Sequence, residues 1–144
     1  MRWRSSVVWC VCTVVVALIP AGLYASQDVK KTEVGLASYY GPGFNGKPTA
    51  SGEVFDERQL VAASRTLPLG SVVRVTNLDN GRTVRLRITD RGPYGRNHRK
   101  GCIIDVSKGA ARKLHFIRDG IVHVRVLVEK FGRHDRHWSD PSDE

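Results

Sequence analysis

Four stretches of this chain alternate apolar and polar side chains with the period of a half-buried strand. The clearest is Thr83–Thr89, where Val84, Leu86 and Ile88 interleave with Arg85, Arg87 and Thr89. Ser71–Asn77 precedes it, and Leu78-Asp79-Asn80-Gly81-Arg82 between them carries an Asn-Gly pair. That dipeptide closes tight hairpins because both residues tolerate positive φ. Val34–Tyr40 opens the series and runs into Gly41-Pro42-Gly43. Ile121–Val128 closes it, with Val122, Val124, Val126 and Val128 on one face and His123 and Arg125 on the other. One segment has helical spacing: Ser107 can cap it, Ala110, Ala111 and Leu114 face inward, and it ends by Phe116. Short strands at close spacing with so little helix predict a mainly β chain closed into a small barrel.

The first 25 residues follow a different rule. Arg2 and Arg4 precede an apolar run from Val7 to Ile19, then Pro20 and the small-residue stretch Ala21–Ala25. This pattern is that of a secretory signal cleaved near Ala25-Ser26, and its uninterrupted apolar core is shorter than the ~20 residues a membrane span needs. The expected organisation is a signal peptide over 1–25, a flexible lead-in over 26–33, the barrel over 34–130, and a charged, disordered tail over 131–144. The mature chain would be exported to the periplasm or cell envelope without stable membrane insertion. Cys10 and Cys12 fall in the signal, leaving Cys102 with no partner for a disulfide and no cysteine-based metal site.

Removing the two arginines of the signal takes the formal charge from +9 to +7. A strongly basic exported chain calls for an anionic partner. The arginines are scattered (Arg74, Arg82, Arg85, Arg87, Arg91, Arg96, Arg99) rather than set on a helix that could enter a groove. Aromatic residues do not alternate with them as on a base-stacking platform, so nucleic acid is not the expected partner. A polymer of the cell envelope fits better, bound by a monomer. His134 and His137 lack a third ligand, and no glycine-rich phosphate loop follows a strand, so neither metal nor cofactor is expected.

The acidic residues carry the candidate chemistry. Asp90 stands where the Thr83–Thr89 strand breaks into Arg91-Gly92-Pro93, and a second acidic cluster, Ala50-Ser51-Gly52-Glu53-Val54-Phe55-Asp56, lies in a polar upstream loop. Acidic groups held by separate loops on a β scaffold are what glycosidic bond cleavage requires. Asp90 is the first choice for acid and base, although an Asp at such a turn also caps the Arg91 and Gly92 amides. Glu53 is placed to meet sugar hydroxyls or a developing cation, and Asp56 to orient Glu53 or cap the next turn. Asp105, just ahead of the cap Ser107, reads as a helix N-terminal stabiliser. Arg91 is expected to pair with a carboxylate. Of the aromatic residues, Tyr40 and Phe44 are candidates to stack on sugar faces.

Seven segments taken in order carry a resemblance: Gly35–Gly41 (GLASYYG), Thr49–Asp56 (TASGEVFD), Thr66–Gly70 (TLPLG), Val75–Leu78 (VTNL), Asn80–Arg82 (NGR), Asp90–Pro93 (DRGP) and Ile103–Ser107 (IIDVS). Together they resemble the RlpA family of bacterial envelope lytic transglycosylases over about Gly35 to Val128. The resemblance implies a six-stranded double-psi β-barrel with one or two short helices. It also implies cleavage of the MurNAc–GlcNAc β-1,4 bond of peptidoglycan, leaving 1,6-anhydro-MurNAc ends. The family's groove positions fall on Glu53, Asp56, Ser64 and Asp90, with Ser64 standing where the family usually has histidine. Asn45, in Phe44-Asn45-Gly46, also replaces a frequent histidine, and the loop Tyr94–Gly101 is longer and more basic than usual. Ser64, Tyr40, Phe44, Asn45 and Arg91 are thereby expected to contact substrate. Two other classes stay open: a glycan-binding barrel without turnover, and an expansin-like protein that loosens wall polymers without cutting them.

Overall fold

A computed structural model describes residues 31–132. The expected signal segment lies outside the described residues, as does the tail beyond residue 132. Six strands and two short helices follow in the order β1 (Thr32–Tyr39), β2 (Val61–Ser64), β3 (Val72–Asn77), β4 (Thr83–Asp90), α1 (Gly95–Arg99), β5 (Cys102–Val106), α2 (Lys108–Lys113) and β6 (Val122–Lys130). The strands close into a barrel in the spatial order β1-β5-β2-β4-β3-β6. Two neighbour pairs, β1 with β5 and β2 with β4, are parallel, each with a register shift, and the other four are antiparallel. This is the six-stranded, mainly β barrel with short helices that the sequence led us to expect.

The four alternating stretches are strands β1, β3, β4 and β6, each within two residues of its expected bounds. β1 begins at Thr32, so the lead-in expected through residue 33 ends sooner. Alternation works here because one face of each strand fills the barrel. Val84, Leu86 and Ile88 of β4 are buried, as are Val122, Val124, Val126 and Val128 of β6, while Arg85, Arg87, His123 and Arg125 are exposed. Each fully buried side chain of this size contributes roughly 1.5–3 kcal/mol. The Asn-Gly hairpin forms as expected, pairing Thr76 with Thr83 and placing Gly81 at φ 73°.

Helix α2 plugs one side of the core. Ser107 Oγ accepts from Ala110 N at 3.2 Å, the expected N-cap, and Ala110, Ala111, Leu114 and Phe116 are fully buried. Its far end is tied to the hairpin, because the Leu114 carbonyl accepts from Asn77 Nδ2 at 2.9 Å and from Asn80 Nδ2 at 3.0 Å. Its start approaches the Arg58 backbone so closely that a Cβ on Gly109 would lie 2.5 Å from the Arg58 carbonyl oxygen. This contact fixes the end of the long loop between β1 and β2, which carries Glu53 and Asp56.

Candidate active site

The site is built on the outer face of the barrel, where four adjacent strands bring one residue each into a row. In register, Ala63 of β2 pairs with Asp90 of β4 on one side and with Asp105 of β5 on the other. Asp105 in turn pairs with Ser38 of β1. The alternation of β5 sends Cys102, Ile104 and Val106 inward and leaves Asp105 outside. Asp90 and Asp105 are therefore two strand spacings apart, about 10 Å between backbones, on either side of Ala63, whose methyl group is covered by Gly92.

Above this row lies a cavity of about 240 Å³. Asp90, Asp105 and Arg91 line it together with Tyr40, Phe44 and Tyr94, and Gly92 and Asn97 form part of its wall. An adjoining cavity of about 600 Å³ shares Tyr39, Gly41 and Asn97 and continues past Ser38 to Lys100. Phe44 and Tyr94 are about half exposed, presenting aromatic surface at the cavity edge. Tyr40 is braced from behind by Phe55, with ring centroids 4.4 Å apart, and by Phe44 at 5.4 Å.

Asp90 is held by three donors. Tyr40 Oη donates to Oδ2 at 2.9 Å, and the amides of Ala50 and Arg91 donate to Oδ1 at 2.9 Å each. The turn-capping role weighed from the sequence is thus present, through the Arg91 amide, alongside a place in the cavity wall. The Ala50 bond docks the long β1–β2 loop onto the end of β4, reinforced by Ser51 N donating to the Thr89 carbonyl at 3.0 Å. Burial, and then the charge of Asp90, push the Tyr40 phenol well above its ordinary range, so it stays a donor.

Asp105 differs from the expectation that it would serve the helix. Ser107 caps α2, whereas Asp105 turns into the cavity and accepts a hydrogen bond from Ser38 Oγ. Asn97 Nδ2 donates to the same Ser38 Oγ at 3.1 Å. Burial pushes the Asp105 carboxyl above its usual value, and the Ser38 and Asn97 donors only partly offset this.

Of the remaining expected site residues, Glu53, Asp56, Asn45 and Ser64 lie apart from this cavity lining. Glu53 is clamped in a bidentate pair by Arg87, at 2.5 and 2.7 Å, and that hydrogen bonding holds its carboxyl below the ordinary value. Asp56 is partly exposed and pairs with Arg58, whose side-chain and backbone hydrogen bonds lower its pKa likewise. Asn45 Oδ1 accepts from the Glu57 amide at 2.9 Å. Ser64 is buried, its Oγ accepting from the Leu67 and Thr66 amides at 3.2 and 3.3 Å. Arg91 lines the cavity while its Nη1 donates to the carbonyls of Leu67 and Ser64 at 2.6 and 3.3 Å. His98 of α1 lies 2.7 Å from Arg65 Nη1. Sequence reasoning read Asp105 as structural, did not keep Tyr94, and missed Asn97 as a site residue. A carboxylate at an outward position of a short apolar strand was the signal for the first. No cluster of His, Cys, Asp and Glu suited to a metal occurs among the described residues.

Solved structures with this fold include the Streptomyces papain inhibitor, with a TM-score of 0.53 at 24% identity over 69% of this chain and 96% of that one. An expansin of Clavibacter michiganensis aligns with a TM-score of 0.54 at 20% identity, over 69% of this chain and 51% of that one. At such identities the likeness speaks for the fold alone. Sequence relatives are closer. The endolytic peptidoglycan transglycosylase RlpA of Campylobacter jejuni is 47% identical over 104 residues, which is 72% of this chain and 36% of that protein. The probable endolytic peptidoglycan transglycosylase RlpA of Treponema pallidum is 52% identical over 104 residues, 72% of this chain and 31% of that protein. The chain thus spans about a third of the length of these curated relatives. The family model described as lytic transglycolase matches residues 32–126, from the first residue of β1 into β6. Because that match takes in every strand of the barrel and both walls of the cavity, the chain belongs to the lytic transglycolase family of double-psi β-barrels.

Proposed function

We propose that this protein is an exported lytic transglycosylase of the cell envelope that cuts the MurNAc–GlcNAc β-1,4 bond of peptidoglycan glycan strands. The reaction uses no water: the C6 hydroxyl of MurNAc closes on its own C1, giving a 1,6-anhydro end. It needs carboxyl chemistry at the glycosidic oxygen and at that hydroxyl, with the sugar held in place. The observation that carries the reading is Asp90 in the wall of a cavity whose edge is formed by Phe44 and Tyr94. The aromatic faces supply stacking surface for sugar rings. The Tyr40 hydroxyl and two backbone amides fix the carboxylate that meets the reacting bond. Arg91 and the basic loop after it give the groove a positive field that attracts an anionic polymer, an attraction that weakens with salt.

Within this reading Glu53 and Asp56 act from the rim. Glu53 meets substrate once Arg87 releases it or, remaining paired, holds the β1–β2 loop against β4. Ser64, Asn45 and Tyr40 support the substrate side through the loop and strand ends they occupy. The test is incubation of the mature protein with intact and with peptide-stripped glycan strands, followed by mass spectrometry for 1,6-anhydro ends. Such ends, abolished by Asp90→Asn, are the expected result. Binding without product, with turnover appearing only in Ser64→His, would replace this reading with that of a non-catalytic glycan-binding barrel.

A further inference from the structure

The cavity holds two carboxyl groups with different surroundings, Asp90 and Asp105. The three hydrogen bonds to Asp90 all come from donors, two of them backbone amides that cannot accept a proton in return. A proton placed on Oδ1 would meet those amides head on. Asp105 has the other kind of environment. Its partner on Oδ1 is the Ser38 hydroxyl, which serves as donor or acceptor by rotation and so accommodates either protonation state. Its second oxygen, Oδ2, faces Gly92: a Cβ built there would lie 3.9 Å from it. Gly92 has φ 144°, a conformation that side chains rarely adopt, so the main chain passes the carboxyl without a side chain of its own.

The geometry points to Asp105 as a second catalytic residue, the general acid that protonates the leaving glycosidic oxygen, with Asp90 as the base that receives the proton of the C6 hydroxyl. This rests on the lytic reading above and divides its acid and base work between two groups. The register supplies the separation, since both residues flank Ala63 across two strand spacings and line one cavity. A sugar ring seated in this cavity would have both carboxyl groups in its lining. Burial independently favours the protonated form of Asp105.

In the step, the Asp105 proton passes to the oxygen between the two sugars as the bond from C1 to that oxygen breaks. The C6 oxygen bonds to C1, and its proton moves to Asp90. The enzyme then carries a neutral Asp90 and an ionised Asp105, and proton exchange through water after product release restores the starting pair. Bonds, protons and charge balance without any further reactant.

The test compares wild type, Asp105→Asn and Asp90→Asn on two substrates. One is peptide-stripped glycan, whose leaving sugar needs a proton. The other is the 4-nitrophenyl β-glycoside of a GlcNAc–MurNAc disaccharide, whose nitrophenolate leaves without one. Asp105→Asn is expected to lose at least about 100-fold on glycan, the scale of general acid catalysis, and less than about 10-fold on the nitrophenyl substrate. Asp90→Asn is expected to fail on both. Wild-type rates for Asp105→Asn on glycan would overturn the proposal, as would equal losses on both substrates, which would mark a structural role or a misfolded variant. Anhydro product absent from wild type itself would instead remove the lytic reading on which the proposal stands.

Discussion

Replacing Tyr40 with Phe removes one hydroxyl and leaves the rest of the site in place. The ring keeps its contacts with Phe55 and Phe44, so the change isolates the 2.9 Å bond from Tyr40 Oη to Asp90 Oδ2. A hydrogen bond to a charged group contributes about 1.5–3 kcal/mol, and the cavity lets water partly replace it, so the loss should fall at the lower end of that range. For a barrel of this size, at about 4 °C per kcal/mol, the melting temperature should drop by about 6–8 °C. The phenol's pKa is raised on folding, chiefly by burial, so its contribution is fully present below the unfolded value near 10.0 and is lost only as pH rises through the folded one. Urea unfolding at pH 7 therefore measures the bond intact. The decisive assay is a double-mutant cycle with Asp90→Ala, which removes the acceptor, and its coupling energy should exceed about 1 kcal/mol. A coupling below about 0.5 kcal/mol would mean that Tyr40 does not hold Asp90, and the account of how the cavity fixes its carboxylate would fail with it.

Two further predictions concern the frame around the site. Arg87→Ala breaks the half-exposed pair with Glu53 and should cost no more than about 1 kcal/mol at pH 7. Because the Arg87 hydrogen bonds lower the Glu53 pKa on folding, this contribution is present above the unfolded value of 4.5 and is lost as pH falls through the folded one. Wild type and variant should thus converge in acid, and a gap that persists there would assign Arg87 another role. Gly109→Ala should destabilise the barrel even though alanine favours a helix by about 1 kcal/mol, since its Cβ would meet the Arg58 carbonyl at 2.5 Å. A rise in melting temperature would show that the β1–β2 loop yields to the helix.

What the sequence shows and what it hides divides along a physical line. Strands β3, β4 and β6 were legible because one face meets the core and the other meets water, and period two is the trace of that asymmetry. β2 has no such trace: Val61, Ala62, Ala63 and Ser64 are all buried, the inner face by the core and the outer by the loops above it. In β5 the outward Ile103 is half-buried and apolar, so Cys102-Ile103-Ile104 reads as a run although burial alternates. These two strands make both parallel pairings of the barrel, and parallel partners are set by long-range register that local pattern does not contain. The six-stranded closure was therefore available only through the resemblance.

The same line runs through the site. Asp90 was legible because a carboxylate at the end of an alternating strand, before Gly-Pro, is a local signal. Glu53 drew attention for the same kind of reason, yet its partner Arg87 stands 34 residues away and its pairing is a product of tertiary structure. Asp105 was read against its nearest neighbour in sequence, the helix cap, when its nearest neighbours in space are Ser38, 67 residues back, and the cavity it shares with Asp90. A carboxylate near a helix start has an easy local explanation. That explanation draws the eye to the sequence axis, whereas the row Asp90–Ala63–Asp105–Ser38 runs across it. Chemistry on this barrel is arranged along the hydrogen-bonding direction, one residue from each strand, and no two members of the row stand fewer than 15 positions apart along the chain.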